Sequence, residues 1–208
     1  MRTVSKTIDI YSIEDVKNNE ELQELVIDKN RDINVDNDYW FNGTLENWKE
    51  RLRDYGFVYP DIRFSGFWVQ GDGASFTSEA VYLDLYLKAF GDELYPDRQI
   101  NLFLDLIRNY DVVAFSVKRR DYHYVHEYTT TVCYDDYLYQ FNRCPRLQRF
   151  LSNFIEDLRT HMQDKIEELN RKIYKDLFEE YEYLTSDEAI IETLEANEYE
   201  FTEDGSIY

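Results

Sequence analysis

The most regular pattern in the chain begins after Pro145. Leu147, Leu151, Phe154, Leu158, Met162, Ile166, Leu169, Ile173, Leu177 and Tyr181 advance by threes and fours without a break, which is the spacing of one apolar stripe along a long helix. Thr185-Ser186-Asp187-Glu188 then sets hydroxyls ahead of carboxylates and predicts a capped short helix through Ala196. Tyr199-Glu200-Phe201-Thr202 reads as an extended piece ended by Asp204-Gly205. Near the start, Ser12-Ile13-Glu14-Asp15 resembles a capping box, and Val16, Leu22, Leu25, Val26 and Ile33 continue in a loosely helical pattern. A turn-like region over 34–42 carries Tyr39, Trp40 and Phe41. Leu45, Trp48 and Leu52 share a face of a helix over 45–55 that Gly56 stops, and Ile100, Phe103, Leu104 and Ile107 do the same over 99–110.

Between these helices the pattern changes. Residues 62–69 form a strand-type run that ends in the tight turn Gln70-Gly71-Asp72-Gly73-Ala74-Ser75-Phe76. Val81, Leu83, Leu85 and Leu87 alternate with Tyr82, Asp84, Tyr86 and Lys88, which favours a strand, although a helix also fits. Residues 112–118 and 122–134 are further strand candidates, joined at Arg119-Arg120-Asp121. The expected fold is therefore α+β: a small antiparallel sheet packed with helices, one of them long and in the C-terminal third. It is expected as a single compact domain over 1–208, with 145–208 a helical, acidic part.

Composition supports a packed core, because 43% of residues are hydrophobic and 17% aromatic even though 32% are charged. The formal net charge of −20 changes the picture more. It argues against a direct grip on nucleic acid or an anionic membrane, both of which need a positive field. It leaves a solvated surface, a protein partner with a basic surface, or imitation of a nucleic acid's phosphates. The charge is uneven: from Glu179 onward there are eleven Asp or Glu and no Lys or Arg. Asp187, Glu188, Glu192, Glu195, Glu198, Glu203 and Asp204 are the candidate acidic binding patch, and Glu188, Glu192 and Glu195 recur at spacings that share a helix face. Positive residues gather at 118–120, at Arg143, Arg146 and Arg149, and at Arg171-Lys172, and the arginines of 143–149 are the expected source of any neutralisation. No apolar run reaches membrane-spanning length and the first residues lack a signal-peptide core. Cys133 and Cys144 sit in no metal or redox spacing, which fits a reducing cytoplasm.

His123-Tyr124-Val125-His126-Glu127 is where imidazole and carboxylate converge in sequence. On a strand, positions 123 and 126 point to opposite faces, so a structural or hydrogen-bonding role outweighs shared metal ligation. The turn at 70–75 offers backbone amides, a carboxylate and a hydroxyl, and turn formation is its simpler role. Together Gln70, Asp72, Ser75, His123, His126 and Glu127 make up an alternative pocket for a small molecule or nucleotide signal. No nucleophile triad, zinc-ligand set, Walker loop or dinucleotide fingerprint is present in the sequence, so no catalytic residue, metal or cofactor is expected.

Three stretches together resemble an uncharacterised family of phage and prophage proteins, sometimes labelled antitoxin-like. They are Phe64-Ser65-Gly66-Phe67-Trp68-Val69-Gln70-Gly71-Asp72-Gly73-Ala74-Ser75-Phe76, then His123-Tyr124-Val125-His126-Glu127-Tyr128, and then Glu182–Ala189 with Ala196–Gly205. Val69 stands where that family has Ser. The resemblance implies a phage setting and the host cytoplasm. Joined to the charge, it leads to the expectation of a non-enzymatic phage accessory protein. Such a protein would inhibit a host factor of the nucleic-acid-processing or defence kind through a nucleic-acid-mimicking surface. A ligand-sequestering protein and an antitoxin-like protein are the alternatives.

Overall fold

A computed structural model of the chain describes residues 7–37, 39–120 and 123–208. The chain divides into two compact units. Unit 1 holds Met1–Asn42 and Phe178–Tyr208, and unit 2 holds Gly43–Leu177.

Unit 1 is built from both flanks of the chain. Strand β1 (Ile10–Tyr11) is followed by α1 (Ile13–Lys17) and α2 (Glu20–Lys29). The capping box forms: the Asp15 amide donates to Ser12 Oγ at 3.3 Å, and the Ser12 amide donates to Asp15 Oδ2 at 2.9 Å. The loosely helical apolar pattern is carried by two helices, because Asn19 accepts from the Leu22 amide and caps the second. From the other flank, α7 (Asp187–Ala196) starts at Ser186, whose hydroxyl accepts from the Ala189 amide. Strand β8 (Phe201–Thr202) then pairs antiparallel with β1, Tyr11 opposite Phe201. Val16, Leu22, Val26 and Ile27 pack with Ile190, Leu194 and Phe201 as the unit's core. Asn34, in the turn after α2, donates to Leu184 O at 2.9 Å and accepts from Thr193 Oγ1 at 2.8 Å, so the N-terminal turn is tied to α7.

Unit 2 contains α3 from its second residue (Asn42–Asp54), β2 (Phe57–Val58), β3 (Asp61–Phe64), β4 (Ala74–Thr77), β5 (Ala80–Val81), α4 (Leu83–Phe90), α5 (Asp97–Asn109), β6 (Val113–Arg119) and β7 (Thr130–Asp136). It also holds α6 (Pro145–Leu184) as far as Leu177. β2 pairs with β5, β3 with β4 and β6 with β7, all antiparallel. A bridge between Ser78 and Val117 joins the end of β4 to β6. The fold class is α+β, and the long helix carries the expected stripe: Leu151, Phe154, Leu158, Met162, Ile166, Leu169, Ile173 and Leu177 are buried.

Three sequence expectations are corrected. The run over 62–69 stops being a strand at Phe64, because Gly66 takes φ +118°, a conformation suited to glycine that turns the chain. Residues 83–90 are helix α4 rather than strand: the alternating leucines coincide with a helical stripe in which Tyr86, fully buried beside Leu83 and Leu87, is the third member. Strand β7 begins at Thr130, so residues 123–129 are loop and the argument about opposite strand faces does not apply to His123 and His126. Asp121 and Tyr122 lie outside the described residues. Both cysteines are free thiols.

Candidate functional site

The acidic residues of unit 1 are arranged by helix periodicity. On α2, Leu22, Val26 and Ile27 are buried, and Glu20 and Glu24, which step by four and then three to Ile27, are exposed beside it. On α7, Ala189, Ile190 and Leu194 are buried, and Glu188, Glu192 and Glu195 are exposed. Packing α2 against α7 opens a groove of about 360 Å³. Its sides carry Glu20, Glu24, Asp187 and Glu188, and Ile27 and Ile191 lie between them. A second depression, about 450 Å³, is lined by Asp9, Glu203 and Asp204 with Thr202. The seven carboxylates expected as one patch are therefore divided: Asp187 and Glu188 line the first concavity, Glu203 and Asp204 the second, Glu192 and Glu195 are exposed on α7, and Glu198 lies beyond its end.

Some of this charge is neutralised within the unit. Lys17 pairs with Glu195 at 2.7 Å, Arg31 with Asp187 at 2.6 Å, and Lys29 with Asp204 at 2.9 Å. The pairing cations come from α1, α2 and the turn after it, a source the sequence did not suggest. The Lys29 ammonium, followed by the Thr202 hydroxyl and Ser206, holds the Asp204 carboxyl well below the usual range. Hydrogen bonds from Arg31 to Asp28 and Asp187 raise the Arg31 guanidinium further. Glu20, Glu24, Glu188, Glu192, Glu198 and Glu203 form no ion pair among the described residues. Glu198 also sits at φ +53°, where helices usually place glycine to end, so a carboxylate is held at a strained position.

In unit 2 the two motif loops do meet. Gly71 packs against the Tyr124 ring and Gly73 against Val125 O and His126, so closely that a side chain at either glycine would clash. The Val125 amide donates to Gly71 O at 3.2 Å. Three of the six side chains of the expected ligand pocket, Asp72, Ser75 and His126, are engaged by the fold. Asp72 Oδ2 accepts from the Trp68 and Val69 amides at 3.0 and 2.8 Å, closing the loop on itself. Ser75 is fully buried, its hydroxyl 3.1 Å from Thr129 Oγ1 and 3.4 Å from Arg119 Nη1. His126 Nδ1 accepts from the Tyr128 amide, and the Glu127 carbonyl accepts from Asn170. Gln70 and His123 are exposed, and the His123 ring lies against Tyr124. The arrangement displays Trp68 and Val69 to solvent, 74% and 71% exposed.

Sequence reasoning missed two features. Asn170, inside the apolar stripe of α6 and 1% exposed, accepts from the Phe76 amide and donates to Glu127 O and Thr130 Oγ1, so it fastens β4, the loop and β7 to the helix. The available signal was an amide four residues after Ile166 and three before Ile173, on the same face as the apolar stripe. The second is the α2 wall of the acidic groove, signalled by Glu20 and Glu24 at a spacing of four.

Unit 2 also holds a cluster of titratable groups. Tyr86 Oη lies 3.0 Å from His161 Nδ1, and His161 Nε2 lies 3.7 Å from Glu93, which pairs with Lys165 at 2.8 Å. Burial pushes His161 below and Tyr86 above their ordinary values. Among the described residues no group of three or more His, Cys, Asp or Glu is placed to hold a metal ion, and no helix is long and apolar enough to cross a membrane.

No curated protein and no solved structure matches the chain. A family model does, that of a domain of unknown function, DUF8835, over residues 40–187. The match takes in all of unit 2 and leaves the α2 wall of the acidic groove outside it. Because it covers more than two thirds of the chain, this protein belongs to the DUF8835 family.

Proposed function

We propose that this chain is a non-catalytic, phage-encoded binding protein that inhibits a host protein by covering its basic surface with unit 1. One observation carries the reading: α2 and α7 bring Glu20, Glu24, Asp187 and Glu188 to one groove, although these residues come from opposite flanks of the chain. Like charges held together repel, and such an arrangement lowers the stability of the unit that keeps it. A basic segment entering the groove would relieve the repulsion. It would also meet the apolar side chains of Ile27 and Ile191, so affinity need not rest on charge alone. The resemblance of the motif stretches to phage proteins supports reading the partner as a host factor, and carboxylates in place of phosphates suit a nucleic-acid-processing or defence factor.

The test is the plating efficiency of a nuclease-sensitive phage on a host with an active nuclease defence. The wild-type chain is expected to raise it, and the variant E20K/E24K/E188K, altered only at exposed positions, is expected to stay folded and lose the effect. Binding to the purified defence protein should weaken steeply with salt. Protection that survives the triple reversal, or affinity indifferent to ionic strength, would overturn the proposal.

A further inference from the structure

A groove of about 490 Å³ opens in unit 2 where β3, the end of β4 and β6 meet, within the size range of small-molecule sites. Its chemistry differs from that of the unit 1 grooves, since cations and carboxylates share the lining. Arg63, Lys118 and Arg119 line it against two carboxylates, Asp61 and Glu79. It gathers exposed cationic side chains, Arg63 and Lys118, in a chain of net charge −20. Neither Arg63 nor Lys118 forms an ion pair among the described residues, although Asp61 and Glu79 line the same space, and both are exposed. Their charge is therefore available to a ligand rather than engaged by the fold.

The frame around these side chains is rigid. Ser78 is 3% exposed and exchanges both backbone hydrogen bonds with Val117, at 3.0 and 2.9 Å. Its hydroxyl lies 2.9 Å from Val58 O and 2.7 Å from Ala80 O, and the Glu79 amide also donates to Val58 O. These bonds hold the turn that presents Tyr59 at the groove. Tyr59 takes φ +48° immediately before Pro60, a position where both its side chain and the following proline favour extended backbone. Its ring is 75% exposed. A strained backbone that sets an aromatic ring outward over a groove is the kind of feature found at ligand sites.

We propose that this groove binds a nucleoside phosphate. Arg63 and Lys118 match the phosphate oxygens. Asp61 or Glu79 can accept hydrogen bonds from ribose hydroxyls, a role that carboxylates fill at nucleotide sites. Tyr59 offers a stacking face for the base. An anion alone would leave the two carboxylates and the ring without a role, and only a ligand with phosphate, hydroxyl and aromatic parts uses all three. The site is independent of the acidic groove, and the two proposals can fail separately.

Titration calorimetry of the full chain with ATP and with GTP at 150 mM salt tests it, with inorganic triphosphate and adenosine as controls. At least one nucleotide is expected to bind with a Kd below about 1 mM. R63A/K118A, both exposed positions, should weaken that binding at least about tenfold. Tyr59→Ala should weaken it by about tenfold while leaving triphosphate binding unchanged. Amide exchange in β6 and β7 confirms that the variants keep the fold. Absence of nucleotide binding by the folded wild type would overturn the proposal, as would nucleotide affinity unaffected by R63A/K118A. Triphosphate bound as tightly as the nucleotide would overturn the nucleoside assignment.

Discussion

The two units differ most in how they carry charge. Unit 1, with 73 residues, has 21 acidic and 5 basic side chains, a net −16. Unit 2, with 135 residues, has 22 acidic and 18 basic, a net −4. The overall value of −20 therefore describes neither unit. The strongly acidic unit rests on a small core of seven buried residues, while unit 2 packs several helices and strand pairs against the stripe of α6. A small core under strong self-repulsion is a sensitive combination, since each fully buried aliphatic or aromatic side chain contributes only about 1.5–3 kcal/mol. The lesson is that the charge of this protein is a property of one unit, and its consequences for stability and binding should appear there.

The strongest way to break the comparison is Phe201→Ala. This fully buried ring closes the core of unit 1, and its removal should cost about 3–5 kcal/mol. Hydrogen exchange should then show lost protection in α2 and α7 while β6 and β7 keep theirs. Equal loss in both units would mean that they fold as one cooperative body. Next in size is Asn170→Ala in unit 2, which leaves the Phe76 amide and Thr130 hydroxyl without a buried partner and should cost about 1–3 kcal/mol. Here the loss of protection should begin in β4 and β7, and a variant as stable as wild type would show that water replaces the amide. The smallest effect sharpens the contrast without mutation. Raising salt weakens the ion pairs Lys17–Glu195, Arg31–Asp187 and Lys29–Asp204, each worth about 0–1 kcal/mol at the surface. It also screens repulsion among the far more numerous carboxylates, and that term should win. Amides of α2 and α7 should exchange more slowly at high salt while those of β6 and β7 are unchanged. Faster exchange in unit 1 would show that the pairs outweigh the repulsion.

The legible parts of the fold were those that local signals decide. The α6 stripe, the Ser12 capping box and the Ser186 cap involve residues three or four apart, so the sequence alone specifies them. Helix α4 was misread because tyrosine counted as the polar partner of the alternating leucines, whereas Tyr86 is buried with its hydroxyl on His161. Residues 123–129 have strand-like composition, but Gly71 and Asn170 hold them as a loop, and nothing within the segment announces those partners. The acidic site was half legible. The α7 glutamates follow from their spacing, but the α2 wall and the cations Lys17, Lys29 and Arg31 arrive only through tertiary pairing across more than 150 residues. The groove of unit 2 was illegible for the same reason, since Arg63 and Lys118 come to line one space only when Ser78 bridges to Val117.

The pairing of β1 with β8 also fixes an order of events during synthesis. Every residue of unit 2 has been made before Phe178, whereas the N-terminal segment of unit 1 must wait for α7 and β8. At translation rates of about 5–20 residues per second, that wait is on the order of ten seconds. During it, Val16, Leu22 and Val26 have no α7 to cover them, and the segment's surplus of carboxylates supplies a like-charge repulsion that opposes association of such exposed chains.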